Sequence, residues 1–172
     1  MLSMLRSRNA VSTGTAVLLI SLGLTACGSA SSAGGSDAPV LTVTDAWVKA
    51  SQGPMTGAFG VIANPGTADV TITGASVPNV GMVELHETVM VDGQMQMQPK
   101  QGGFVVPAGG SLTLEPGGNH IMLMGMTAPI NPGASVPITL SLSTGGTVVV
   151  EAIAKDFAGG NESYQPSASS TG

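Results

Sequence analysis

From Val40 onward the chain alternates short apolar runs with breaks rich in glycine and proline, and no window sustains the period of an amphipathic helix. The runs are VLTVTDAWV, GAFGVIAN, ADVTITGASV, VELHETVMV, QMQMQP, SLTLEP, HIMLMGM, VPITLSLS and TVVVEAIA. Valine, isoleucine, threonine and leucine dominate them, and NPG, DG, PAGG, PGG and TGG punctuate them. Many short strands with regular turn signals predict an all-β sandwich or barrel, with about eight or nine strands. Aromatic residues are few, so Trp47, Phe59, Phe104 and Phe157 are the expected large anchors of its core.

Two of these runs set a register. Asp92-Gly93 between alternating segments predicts a two-residue hairpin turn. Val91 then faces Gln94, Met90 faces Met95, and Thr88 faces Met97. His86 shares a face with Thr88 and lies diagonal to Met97, a Cβ separation of roughly 7–8 Å that two long side chains can close. In HIMLMGM the period of two puts His120, Met122, Met124 and Met126 on one face and Ile121 and Leu123 on the other, toward a core.

The ends of the chain read differently. Arg6 and Arg8 lead into an apolar run from Ala16 to Leu24, and small residues follow, the pattern of an export signal. The run falls short of the roughly 20 apolar residues that span a bilayer. It ends in LTAC, which resembles a bacterial lipobox, so residues 1–26 are expected to be a lipoprotein signal peptide and Cys27 the lipidated first residue of the processed protein. The Gly-, Ser- and Ala-rich stretch that follows makes 27–39 a tether, leaving 40–157 as one domain and 158–172 as a disordered tail. This places the protein, lipid-anchored, on the extracytoplasmic face of a bacterial membrane.

Charge and cysteine content narrow the chemistry. Without Arg6 and Arg8, three lysines (Lys49, Lys100, Lys155) stand against ten acidic residues, a net charge of 3 − 10 = −7 that leaves no basic patch for nucleic acid. Cys27 is the only cysteine, so the domain offers neither a disulfide nor a thiolate. No nucleophile-elbow or metal-hydrolase motif is visible, and no enzymatic activity is expected.

Donor atoms remain. The only two histidines, His86 and His120, each have a methionine in strand register, Met97 and Met122. Two imidazoles with two thioethers form a soft set suited to Cu(I), whereas zinc sites use Cys, His, Asp and Glu. The competing account is that the methionines fill space in a core and the histidines are ordinary hydrogen-bonded residues.

The stretch from Val83 to Met126 resembles the PCuAC family of periplasmic copper chaperones, whose motif is a histidine, ten residues, a methionine, about twenty-one residues, then His-x-Met. Here ten residues separate His86 from Met97, twenty-two separate Met97 from His120, and His120-Ile121-Met122 closes the pattern. The extra residue is expected in the loop at Gln101-Gly102-Gly103. The resemblance implies a cupredoxin-like β-sandwich that binds Cu(I) through His86, Met97, His120 and Met122. It also implies delivery of copper to the Cu-A centre of cytochrome c oxidase, through subunit II or another assembly chaperone. Met90, Met95, Met124 and Met126 are then expected as an apolar thioether rim. Two rivals are an electron-transfer cupredoxin, disfavoured because blue-copper sites need a cysteine thiolate, and a surface lipoprotein that binds a protein partner and no metal.

Overall fold

The computed structural model describes residues 41–159 and the backbone of Ser163–Tyr164. The expected signal peptide, Cys27 and the tether lie outside the described residues. The elements are β1 (Thr42–Lys49), β2 (Met55–Ala63), β3 (Val70–Ser76), β4 (Val80–Val91), β5 (Gln94–Pro99) and β6 (Phe104–Val106). Beyond them come β7 (Ser111–Leu114), β8 (His120–Met126), β9 (Ser135–Leu142), β10 (Thr147–Lys155) and β11 (Ser163–Tyr164). All nine expected strands form. The two unexpected ones are very short: Phe104-Val105-Val106 sits between Gly103 and Pro107, and two residues of the expected tail run parallel to β5.

Hydrogen bonding links the strands in the order β11-β5-β4-β8-β2-β1-β10-β9-β3-β6, with β7 pairing β2 beside this path. The sheet closes over one hydrocarbon core. Ala58 and Ile62 of β2, Leu85 of β4, and Ile121 and Leu123 of β8 meet Val70, Ile72, Ile138, Leu140 and Ala152 from the other half. Burying these aliphatic side chains drives the closure, at roughly 25 cal/mol per Å² removed from water.

The hairpin register is as expected: Asp92 and Gly93 both take positive φ, 50° and 78°, as a type I′ turn requires, and Met90↔Met95 and Thr88↔Met97 pair. The aromatic expectation needs correcting. Phe104 and Phe59 are buried as expected, but Trp47 is only partly buried, stacking on Phe59, and Phe157 is exposed at its edge. The cause is a bulge in β1. The β1–β2 register shifts between Thr44 and Trp47, with Asp45 at φ 53°, and Trp47 is re-aimed beside Phe59, their ring centroids 4.5 Å apart.

Candidate metal centre

Strands β5, β4, β8 and β2 are consecutive neighbours, and their outer face, away from the hydrocarbon core, carries the candidate ligands. Of the ten methionines, Met1 and Met4 precede the domain, and the other eight all stand on these four strands. Residues paired across a ladder share a face, so the register arranges the outer face in rows. Met90 pairs Met95 at the hairpin tip, and Thr88 pairs Met97. His86 pairs His120 on one side and Pro99 on the other. The next row is Glu84, Met122 and Gly57; the one after is Met82, Met124 and Met55.

The four expected ligands therefore fall in adjacent rows, all of them buried. The imidazoles of His86 and His120 meet edge to face, centroids 5.5 Å apart. Each ring is oriented by a bond at one nitrogen. Nε2 of His86 lies 2.9 Å from Glu84 Oε2, and Nδ1 of His120 lies 3.0 Å from the Gly118 carbonyl oxygen. A carbonyl and a carboxylate only accept, so those nitrogens carry the protons. In neutral rings of these tautomers the acceptor nitrogens are Nδ1 of His86 and Nε2 of His120, both buried. The PGG turn before β8 supplies the second of these bonds. Gly118 N–H donates to Glu115 O and Glu115 N–H to Asn119 O, while Gly118 O also accepts from Thr88 Oγ1 at 3.1 Å.

A cleft opens over His120, Met97 and Met122, walled by Phe59 and Thr56 and reaching Met55. Phe59 leans back along its own strand into space that only glycine leaves: a Cβ on Gly57 would stand 2.7 Å from Phe59 Cζ. Its ring centroid is 6.2 Å from that of His120, which gives the cleft an apolar side. Among the described residues, no three His, Cys, Asp or Glu side chains come together, so a metal held here must take thioether ligands. On the opposite face of β4, Lys100 Nζ donates to Glu87 Oε2 at 2.7 Å. That bond, working against burial, holds the Glu87 carboxyl below its usual range.

The expected rim is rearranged. Met90 and Met95 stand at the exposed hairpin tip, and Met124 is buried one row beyond Met122. Gly125, at φ 66°, breaks the alternation of β8, and Met126 lines a groove with Val80 and Pro129 instead. None of the four lines the cleft over His120; Met55 does. Sequence reasoning missed Met55, Met82 and Glu84. Glu84 was within reach of it, two residues before His86 and so on the same strand face.

Comparison with known proteins agrees with this architecture. The model of the family described as "Putative lipoprotein LpqE-like" matches residues 41–154. "Putative lipoprotein Lxx21020" of Leifsonia xyli subsp. xyli is 42% identical over 155 residues, covering 88% of this chain and 93% of that protein. Among solved structures, the apo PCuAC domain from PmoF1 superposes with a TM-score of 0.57 at 20% identity, covering 68% of this chain and 94% of that one. The CuI form of DR1885 from Deinococcus radiodurans gives a TM-score of 0.53 at 28% identity, covering 73% of this chain and 86% of that one. The fold is thus that of the PCuAC domains.

Proposed function

The chain belongs to the LpqE-like family, and from the chemistry of its histidine–methionine cleft we propose that it carries Cu(I) outside the cytoplasmic membrane and passes it to a membrane cuproenzyme. One observation carries this reading: two buried imidazoles, each turned by a hydrogen bond at its far nitrogen, share a sheet face with the thioethers of Met97 and Met122. His86 through Nδ1, His120 through Nε2, and the two methionine sulfurs are the ligands. Thioethers select Cu(I) and are neutral, so the ion keeps its charge in a cleft shielded by Phe59. Met97, His120 and Met122 at the cleft are the ligands an acceptor reaches first; His86 lies fully buried.

The solved copper-bound PCuAC domain from PmoF2 and the CuI form of DR1885 support the choice of copper. The acceptor we propose is the Cu-A centre of cytochrome c oxidase, in subunit II or by way of another assembly chaperone. The protein acts as a carrier, with no reaction of its own. The test is anaerobic titration of the processed lipoprotein, in detergent, with Cu(I) against a coloured chelator. We expect one tightly held equivalent, without an intense Cu–thiolate band after oxidation. No competition with the chelator would instead favour a lipoprotein that binds a protein partner and no metal.

The membrane side of the proposal rests on Cys27 at the end of LTAC and on the 42% identical relative named as a lipoprotein. Cys27→Ser should leave the protein unprocessed or shed it from the membrane fraction. Processing at residue 27 with continued acylation in that variant would remove the anchor from the proposal.

A further inference from the structure

Three methionines that the His86–His120 site does not use stand in one line across three strands. Met124 of β8 pairs directly with Met55 of β2 on one side and with Met82 of β4 on the other. Direct cross-strand partners have Cβ atoms about 4.5–5.5 Å apart and point to the same face. Two sulfurs bound to one ion, with metal–sulfur bonds of about 2.3 Å, stand up to about 4.6 Å apart. Each side chain has a flexible γ-carbon to make up that difference. Met124 can therefore share a metal with either partner without moving the backbone, while Met55 and Met82, two strand spacings apart, stand about 9–11 Å from each other.

Burial and composition point the same way. Met124 is 7% exposed, while Met55 and Met82 are 43% and 52% exposed, so two open arms flank a buried base. Half-exposed strand positions favour β-branched or aromatic residues, and methionine there gains little from packing. The backbone is adapted too: Gly81 and Gly125 lie side by side just past the row, and a Cβ on Gly81 would stand 3.2 Å from Gly125 O. β4 and β8 thus approach closely at this point, next to the Met82–Met124 pair.

We propose that Met124, with Met55 on one side or Met82 on the other, forms a second Cu(I) site of two thioethers that stages copper entering or leaving the histidine cleft. The proposal rests on the reading of that cleft as a Cu(I) site. Met124 and the ligand Met122 are two residues apart on one strand face, roughly 7 Å. Met55 lines the cleft as well as belonging to the row, so a bound ion has a sulfur to move onto at each step. With two neutral donors and no imidazole, the outer site holds copper more weakly than the inner one, as a staging position must.

The processed lipoprotein, labelled with ¹³C at the methionine methyls and held in detergent, can be titrated anaerobically with Cu(I) and followed by NMR. The first equivalent should shift the Met97 and Met122 methyls. A second, bound about tenfold or more weakly, should shift Met124 together with Met55 or Met82. Met82→Leu with Met124→Leu conserves volume at two positions outside the cleft lining and should abolish the second step alone. If the three row methyls stay still through two equivalents, or the second step survives the double substitution, the outer site does not exist. Should the row respond while Met97 and Met122 do not, the outer site stands and the cleft assignment falls.

Discussion

Leu123 and Met122 are neighbours in sequence and nearly equal in burial, 0% and 3% exposed, yet what surrounds them differs in kind. Leu123 points into hydrocarbon with Ile121, Leu85 and Ala58. Met122 points the other way, beside His120, Glu84 and the cleft. A strand buried on both faces ordinarily repeats one chemistry on both, because leucine or valine serves either. Here every buried donor atom of the four strands β5, β4, β8 and β2 lies on one face except the Thr56 hydroxyl, which donates to Lys49 O. Burying two imidazoles costs free energy unless their polar atoms are engaged, and aliphatic packing would have closed the face without that cost. The inner face is built for stability and the outer face for binding.

Exchanging the two neighbours tests that division most directly. Leu123→Ala should cost about 2–5 kcal/mol of stability by denaturant melting, while the folded fraction binds Cu(I) as before. Met122→Leu conserves volume and should cost less than about 1.5 kcal/mol. It removes a proposed sulfur ligand, however, and should weaken Cu(I) about tenfold or more, some 1.4 kcal/mol. If Met122→Leu binds like the parent, the outer face is packing after all and the contrast dissolves.

The inner face was legible in the sequence because it needs only the period of two: Ile121 and Leu123 follow from HIMLMGM alone. The placement of His86 was legible for a different reason, since the Asp92-Gly93 turn fixes the register of a whole hairpin and with it the His86–Met97 diagonal. The thioether row was not. Its three members sit on three strands joined by no tight turn, and both outer members were lost to punctuation. Met55 follows Gly53-Pro54 and Met82 follows Gly81, so the strands were expected to begin at Gly57 and Val83 rather than at Met55 and Val80. The positive φ of Gly125 is hidden in the same way: a single glycine inside an alternating run leaves the pattern intact on paper, while Met126 lines a different groove.

The smallest effect we expect sharpens the outer face from within. Glu84 is not among the proposed ligands; its contact with His86 is the 2.9 Å bond to Nε2. That bond keeps the proton on Nε2 and leaves Nδ1 to the metal, and partners of this kind typically change metal affinity 10–100-fold. Because Glu84 is half-buried and water can replace part of its role, we place Glu84→Ala at the low end, about tenfold. Glu84→Gln still offers an oxygen to Nε2–H and should lose less. A merely structural glutamate would leave the imidazole unchanged, so ¹⁵N NMR of His86 in the copper-free protein separates the two accounts. Positioning by Glu84 requires an Nε2–H tautomer in the parent, retained in Glu84→Gln and mixed with the Nδ1–H form in Glu84→Ala. If Glu84→Ala keeps both the parent's tautomer and its Cu(I) affinity, His86 is held by its β-sheet packing alone.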